Sequence, residues 1–234
     1  MVRVRHEWLR RVEAEYRSSV ITQTLTLWMT QVAVSPDLIA EGLCIAQDEL
    51  DHAAISWEVY LAAGGKETPR VERESLTYAR TEGLSLEDEI VRMGLDSFCL
   101  GETVAVPLFR SLREGCTEPV AREALDRILK DEVRHRDFGW ALLAWMLEVE
   151  PRRKSFVERL LPNSFRGIRA SYAPAYSGHR EKLPEAAIRW GLMDTTAYAE
   201  AVQKTWERDW QPRFAKLEID ASAAWAAALS APPR

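Results

Sequence analysis

Cysteine is scarce in this chain. There are three, Cys44, Cys99 and Cys116, an odd number with no Cys-x-x-Cys spacing among them. That argues against a disulfide framework or a thiolate zinc site and fits a reducing compartment. Glycine and proline are also sparse, 11 of each in 234 residues, too few for a chain of short strands and tight turns. Positive charge is not in excess: 31 Lys and Arg stand against 36 Asp and Glu, a net charge of −5, so there is no basic footprint for nucleic acid. No apolar run reaches the roughly 18 residues of a membrane-spanning helix. The basic start, MVRVRHEW, is followed by no apolar signal-peptide core, so a cytoplasmic protein with no membrane partner is expected.

Histidine is scarce too, and here the chain becomes specific. Of the four, His6, His52, His135 and His179, two close a shared pattern. Gln47 to His52 reads Gln-Asp-Glu-Leu-Asp-His, and Lys130 to His135 reads Lys-Asp-Glu-Val-Arg-His, so both contain Asp-Glu-x-x-His. Residues three apart on an α-helix share a face, one turn up, so each Glu and His pair can point at one metal ion. Two such pairs with one lone Glu from each of two further helices form the carboxylate-bridged di-metal site of helix bundles.

The chain has the helices that this needs. Val20, Ile21, Leu25, Trp28 and Val32 fall at helical spacing in a first helix from His6 to Val34. Ser35-Pro36-Asp37 breaks it and caps a second, Leu38 to Ala63, which Gly64-Gly65 ends. Lys66 to Leu84 reads as a polar connection with some helix. Ser85, with Asp88 three residues on, starts a third helix to about Glu114, in which Pro107 either kinks the helix or is accommodated by a packing neighbour that satisfies the freed carbonyl. Glu118-Pro119 opens a fourth, to about Glu148, and Pro151 stops it. Long helices with short links pack antiparallel, so residues 1–150 are expected to form a four-helix bundle carrying the site. Residues 151–234 read as a helical extension on that bundle, irregular from Ser164 to Leu183, helical again at Pro184 to Gly191 and Thr195 to Leu217, with a loose tail. Trp190, Trp206, Trp210 and Trp225 gather there, either packing the extension onto the bundle or covering a substrate pocket.

The lone carboxylates come from counting back. Glu102 precedes Glu132 by 30 residues and sits in an apolar stretch beside Gly101, Thr103, Ala105 and Val106. A carboxylate there is costly unless paired or metal-bound. On the first helix Glu13 and Glu15 precede Glu49 by 36 and 34 residues, and Glu15 matches the other half better. Its alternative is a solvated surface acid, leaving a five-ligand or single-metal site. The aspartates before the motif glutamates suit the second role near a metal, accepting the other N–H of a ligating imidazole. Asp131 is expected to hold His52, and Asp48 to hold His135. Asp51 and Asp137 are read as surface acids, and His6 and His179 receive no role.

These residues make the chain resemble the ferritin-like superfamily of di-iron carboxylate proteins, over roughly residues 7–148. The resemblance rests on Glu15, Asp48-Glu49-x-x-His52, Glu102 and Asp131-Glu132-x-x-His135. It implies an all-α, ferritin-like antiparallel four-helix bundle holding two Fe ions, with Mn as an alternative. Glu49 and Glu132 would bridge, Glu15 and Glu102 would be terminal ligands, and His52 and His135 would serve one metal each. It further implies an oxidoreductase, a monooxygenase or oxidase, with O2 as co-substrate, a small-molecule substrate and an electron donor of unknown identity. A homodimer stays open. Ferroxidase, iron-storage or peroxide-scavenging work, and a non-catalytic helical protein with a relic site, are the alternatives.

Overall fold

The computed structural model describes residues 1–171 and 183–230, and every regular element among them is helical. The elements are α1 Val2–Gln31, α2 Pro36–Ala62, a single 3-10 turn Arg73–Leu76, α3 Leu86–Met93, α4 Thr103–Gly115, α5 Pro119–Val149, α6 Arg153–Ser171, α7 Glu185–Arg189, α8 Thr195–Thr205, α9 Gln211–Lys216 and α10 Ser222–Ser230. Wider π-helical stretches, Gly94–Glu102 and Trp206–Trp210, join α3 to α4 and α8 to α9. Among the described residues no helix is long and apolar enough to cross a membrane. His179 and the tail read as loose, residues 231–234, lie outside the described residues, as do residues 172–182 of the expected irregular segment.

The backbone forms two compact units. The first comprises residues 1–83, 109–131 and 183–193. In it α1 and α2 pack along one another. Val4, Trp8, Val12, Glu15, Ser19 and Thr22 are buried at intervals of three or four residues along α1, the helical period. Pro36 occupies the first turn of α2, where its missing N–H costs nothing. Gly64, at φ 83°, ends α2 in the left-handed region, and the next N–H, of Gly65, donates to the Tyr60 carbonyl at 2.9 Å. Trp8, Val59, Leu112, Leu125 and Leu192 belong to the apolar core of this unit. The Trp8 indole N–H donates to the Trp190 carbonyl at 2.9 Å, so Trp190 belongs here, apart from the other three tryptophans.

The second unit comprises the described residues of 84–108, 132–182 and 194–234. Ser85 caps α3 as expected, its hydroxyl accepting from the Asp88 N–H at 3.1 Å. The third helix departs from α-geometry before Pro107, in the π stretch that ends at Glu102. The expected irregular segment from Ser164 is corrected in its first part: α6 runs on to Ser171. Val157, Leu161 and Phe165 continue one buried stripe past Pro162, and that burial overrides the proline signal. Phe165 meets Trp206, Trp210, Phe214 and Trp225 at ring-centroid distances of 5.3–6.2 Å. Packing of Trp225 here also explains α10, which the sequence pattern did not announce.

At Gly139 the π stretch lies against α5. A methyl group there would sit 2.4 Å from Phe98 Cβ and 2.8 Å from its carbonyl carbon, and the Cys99 thiol contacts the Gly139 carbonyl at 3.3 Å. Only glycine allows this approach, one turn beyond His135. Gly139→Ala is therefore expected to destabilise the protein by about 1–3 kcal/mol through overpacking. Urea unfolding measures it, and an unchanged midpoint would show that the contact gives way freely.

Candidate metal centre

The first unit supplies three ionisable side chains from two helices. Glu15 of α1 is 7% exposed. Glu13, the other candidate, lies elsewhere: it accepts from the Arg70 N–H at 3.2 Å and pairs with Arg17 at 3.8 Å. Glu49 and His52 of α2 are 1% and 0% exposed. His52 Nδ1 faces Glu49 Oε2 at 3.8 Å, and His52 Nε2 lies 3.2 Å from Asp131 Oδ2. The expected hold of Asp131 on His52 is therefore present. The same Asp131 oxygen also accepts from Arg127 Nε at 2.6 Å.

The second unit repeats the pattern. Glu102 closes the π stretch and is half-buried, while Glu132 and His135 of α5 are buried. His135 Nδ1 faces Glu132 Oε2 at 3.9 Å, matching the 3.8 Å of the first motif. Thr103, beside Glu102, accepts the Trp140 indole N–H at 2.9 Å and so fixes the end of the π stretch to α5.

The six donors fall into two groups, Glu15 with His52 and Glu132, and Glu49 with Glu102 and His135. Within each group one ligand atom per residue lies within 4.8 Å of the others. Two ligands each about 2.1 Å from one ion stand at most about 4.2 Å apart, so a metal requires only sub-ångström closing. The donor chemistry fits as well. Carboxylates and imidazoles without thiolates suit iron or manganese, and zinc also binds such sets. Burial and the Glu49 charge raise the Glu15 carboxyl to about 8, with the neighbouring His52 and Arg11 opposing. For His52 burial disfavours the charge, but the bond to Glu49 and the charges of Glu15 and Glu49, with help from Asp131, outweigh it and raise the ring to about 9. A dication would relieve the repulsion between Glu15 and Glu49 by taking the place of protons.

All six proposed ligands are thus in the two groups, and the reading of Glu15 as a solvated surface acid is corrected by its burial. Asp48 is buried, and its Oδ1 lies 3.7 Å from Arg127 Nη2. Asp51 and Asp137 have side chains about half exposed, as expected of surface acids, and His6 is exposed beside Glu7. Arg127 was missed. Its signal was its place four residues before Asp131, where helical neighbours form ion pairs. No known protein family, no curated protein and no solved structure matches this chain.

Metal uptake at this cluster must strengthen as pH rises. Both Glu15 and His52 have raised folded values, about 8 and about 9 against ordinary 4.5 and 6.5, so the metal-free fold holds protons that the unfolded chain releases. Their stabilising contribution is full at low pH and is lost as pH climbs through those folded values. A bound cation displaces both protons and escapes that loss. The rise in Tm on adding Mn(II) or Zn(II) is expected to grow between pH 6.5 and pH 9, read by scanning fluorimetry against an EDTA control. A metal-induced rise that is flat across that range would count against proton displacement at these two groups.

Proposed function

We propose that this chain is a non-haem di-iron oxidoreductase of the ferritin-like kind, which activates O2 to oxidise or oxygenate a small organic substrate. The observation that carries the reading is the pair of three-donor groups built from two Glu-x-x-His turns and two lone glutamates. In it α1, α2, the α3–α4 segment and α5 act as the four helices of an antiparallel bundle. Glu15, His52 and Glu132, and Glu49, Glu102 and His135, are the side chains that would hold the two ions. Asp131 would orient His52 through Nε2–H, leaving Nδ1 to the metal.

Bound iron would supply the two electrons that O2 activation needs. The chain supplies the rest. Buried carboxylates place negative charge where two cations must sit, and Phe138, Trp140 and Leu142, further along the helix that carries the second motif, are buried as well. The electron donor and substrate come from outside the chain.

Removing single ligands tests the assignment. His135→Ala and Glu102→Ala are expected to lower iron content from about two per chain to one or less while the helical circular dichroism is retained. Iron content equal to wild type in either variant would remove that residue from the site. The activity itself is tested by anaerobic reduction of the iron-loaded protein followed by O2. Consumption of O2 coupled to oxidation of an added organic substrate supports the proposal. Consumption coupled only to Fe(III) accumulation would replace it with a ferroxidase.

A further inference from the structure

Arg127 stands on α5 one turn before Asp131, half exposed, and its guanidinium reaches the aspartates of both motifs. Nε donates to Asp131 Oδ2 at 2.6 Å, while Nη2 lies 3.7 Å from Asp48 Oδ1 and 3.9 Å from Asp51 Oδ2. Nε and Nη2 form one rigid edge of a planar fork, so the position of one fixes the other. Asp131 Oδ2 is a shared acceptor, taking Arg127 on one side and His52 Nε2 at 3.2 Å on the other. An exposed ion pair contributes about 0–1 kcal/mol to stability, so stability gives little reason for this arrangement.

We infer that Arg127 is a positioning residue: it fixes the carboxylate of Asp131, and steadies that of Asp48, so that the imidazole behind Asp131 presents Nδ1 at the angle a metal requires. The inference rests on the metal reading proposed above. It adds a residue outside both motifs that sets metal affinity without touching metal. Three acids, Asp48, Asp51 and Asp131, converge on this one guanidinium. Loss of Arg127 frees Asp131 to rotate and leaves its charge facing two other carboxylates.

Co(II) is the probe, because its visible absorption reports ligand geometry directly. Full-length wild type, Arg127→Gln, Arg127→Lys, Asp131→Asn and the double variant Arg127→Gln/Asp131→Asn are titrated in parallel, with Tm recorded in EDTA. Partners behind a ligating His typically affect metal affinity by about 10–100-fold, and that is the loss expected for Asp131→Asn. Arg127→Gln is expected to lose about tenfold and to shift the Co(II) bands, with the EDTA Tm nearly unchanged. Arg127→Lys should recover only part of this, since a point charge cannot engage both aspartates along one edge. The double variant should lose clearly less than the product of the two single losses, because Arg127 acts chiefly through Asp131.

Losses that multiply in the double variant, or a Lys variant equal to wild type, overturn the positioning role. So does Arg127→Gln that binds Co(II) like wild type with the same spectrum. Wild type that takes up no Co(II) overturns the metal reading and this inference with it.

Discussion

Burying ionisable groups among packed helices sets the terms for this protein. Glu15, Glu49, His52, Glu132 and His135 are all removed from water. An isolated buried charge is too costly to persist, so such groups must neutralise, pair or hold a cation. Here they face one another, and Glu15 and Glu49 push against each other while pulling on the His52 ring. The surrounding helices must be rigid enough to keep like charges close, because water would otherwise enter and screen them. The long run of α1, the Gly139 approach and the Trp140 bond to Thr103 all serve that rigidity.

The donors were largely legible because their logic is local. Two Asp-Glu-x-x-His turns need only the helical repeat, and Asp131, before the second glutamate, pointed to its neighbour His52. Glu102 was legible because a carboxylate among Gly101, Ala105 and Val106 is out of place. Glu15 was favoured over Glu13 because its separation of 34 residues from Glu49 lies closer to the 30 of the other half, and its burial agrees with that choice. Arg127 escaped because it reads as an ordinary charge on a solvated face, and only the fold shows three carboxylates converging on it.

The misses share a different cause. Both π stretches depart from the α-helical repeat, and the one-dimensional pattern carries no mark of them. The helix across Pro162 and the late helix at Trp225 are likewise held by aromatic packing around Phe165, an effect of tertiary contact rather than propensity. The tryptophans seemed one group because they are close in sequence, yet Trp190 caps the Trp8 core while Trp206, Trp210 and Trp225 surround Phe165. Residues after Pro151 accordingly belong partly to each compact unit.

Helix α5 carries Arg127, Asp131, Glu132 and His135 within nine consecutive positions of one unbroken helix. Each residue added or removed turns everything beyond it by about 100°. Between 127 and 135, then, the gene can change letters but hardly its length: a single inserted codon would swing an imidazole or a carboxylate away from its partners. The stretch from Gly64 to Ser85 holds only one short turn of helix and carries none of the six donors. Length variation among kindred sequences should accumulate there, and a fixed count across residues 127–135 would be the signature by which this site is tracked through diverging chains.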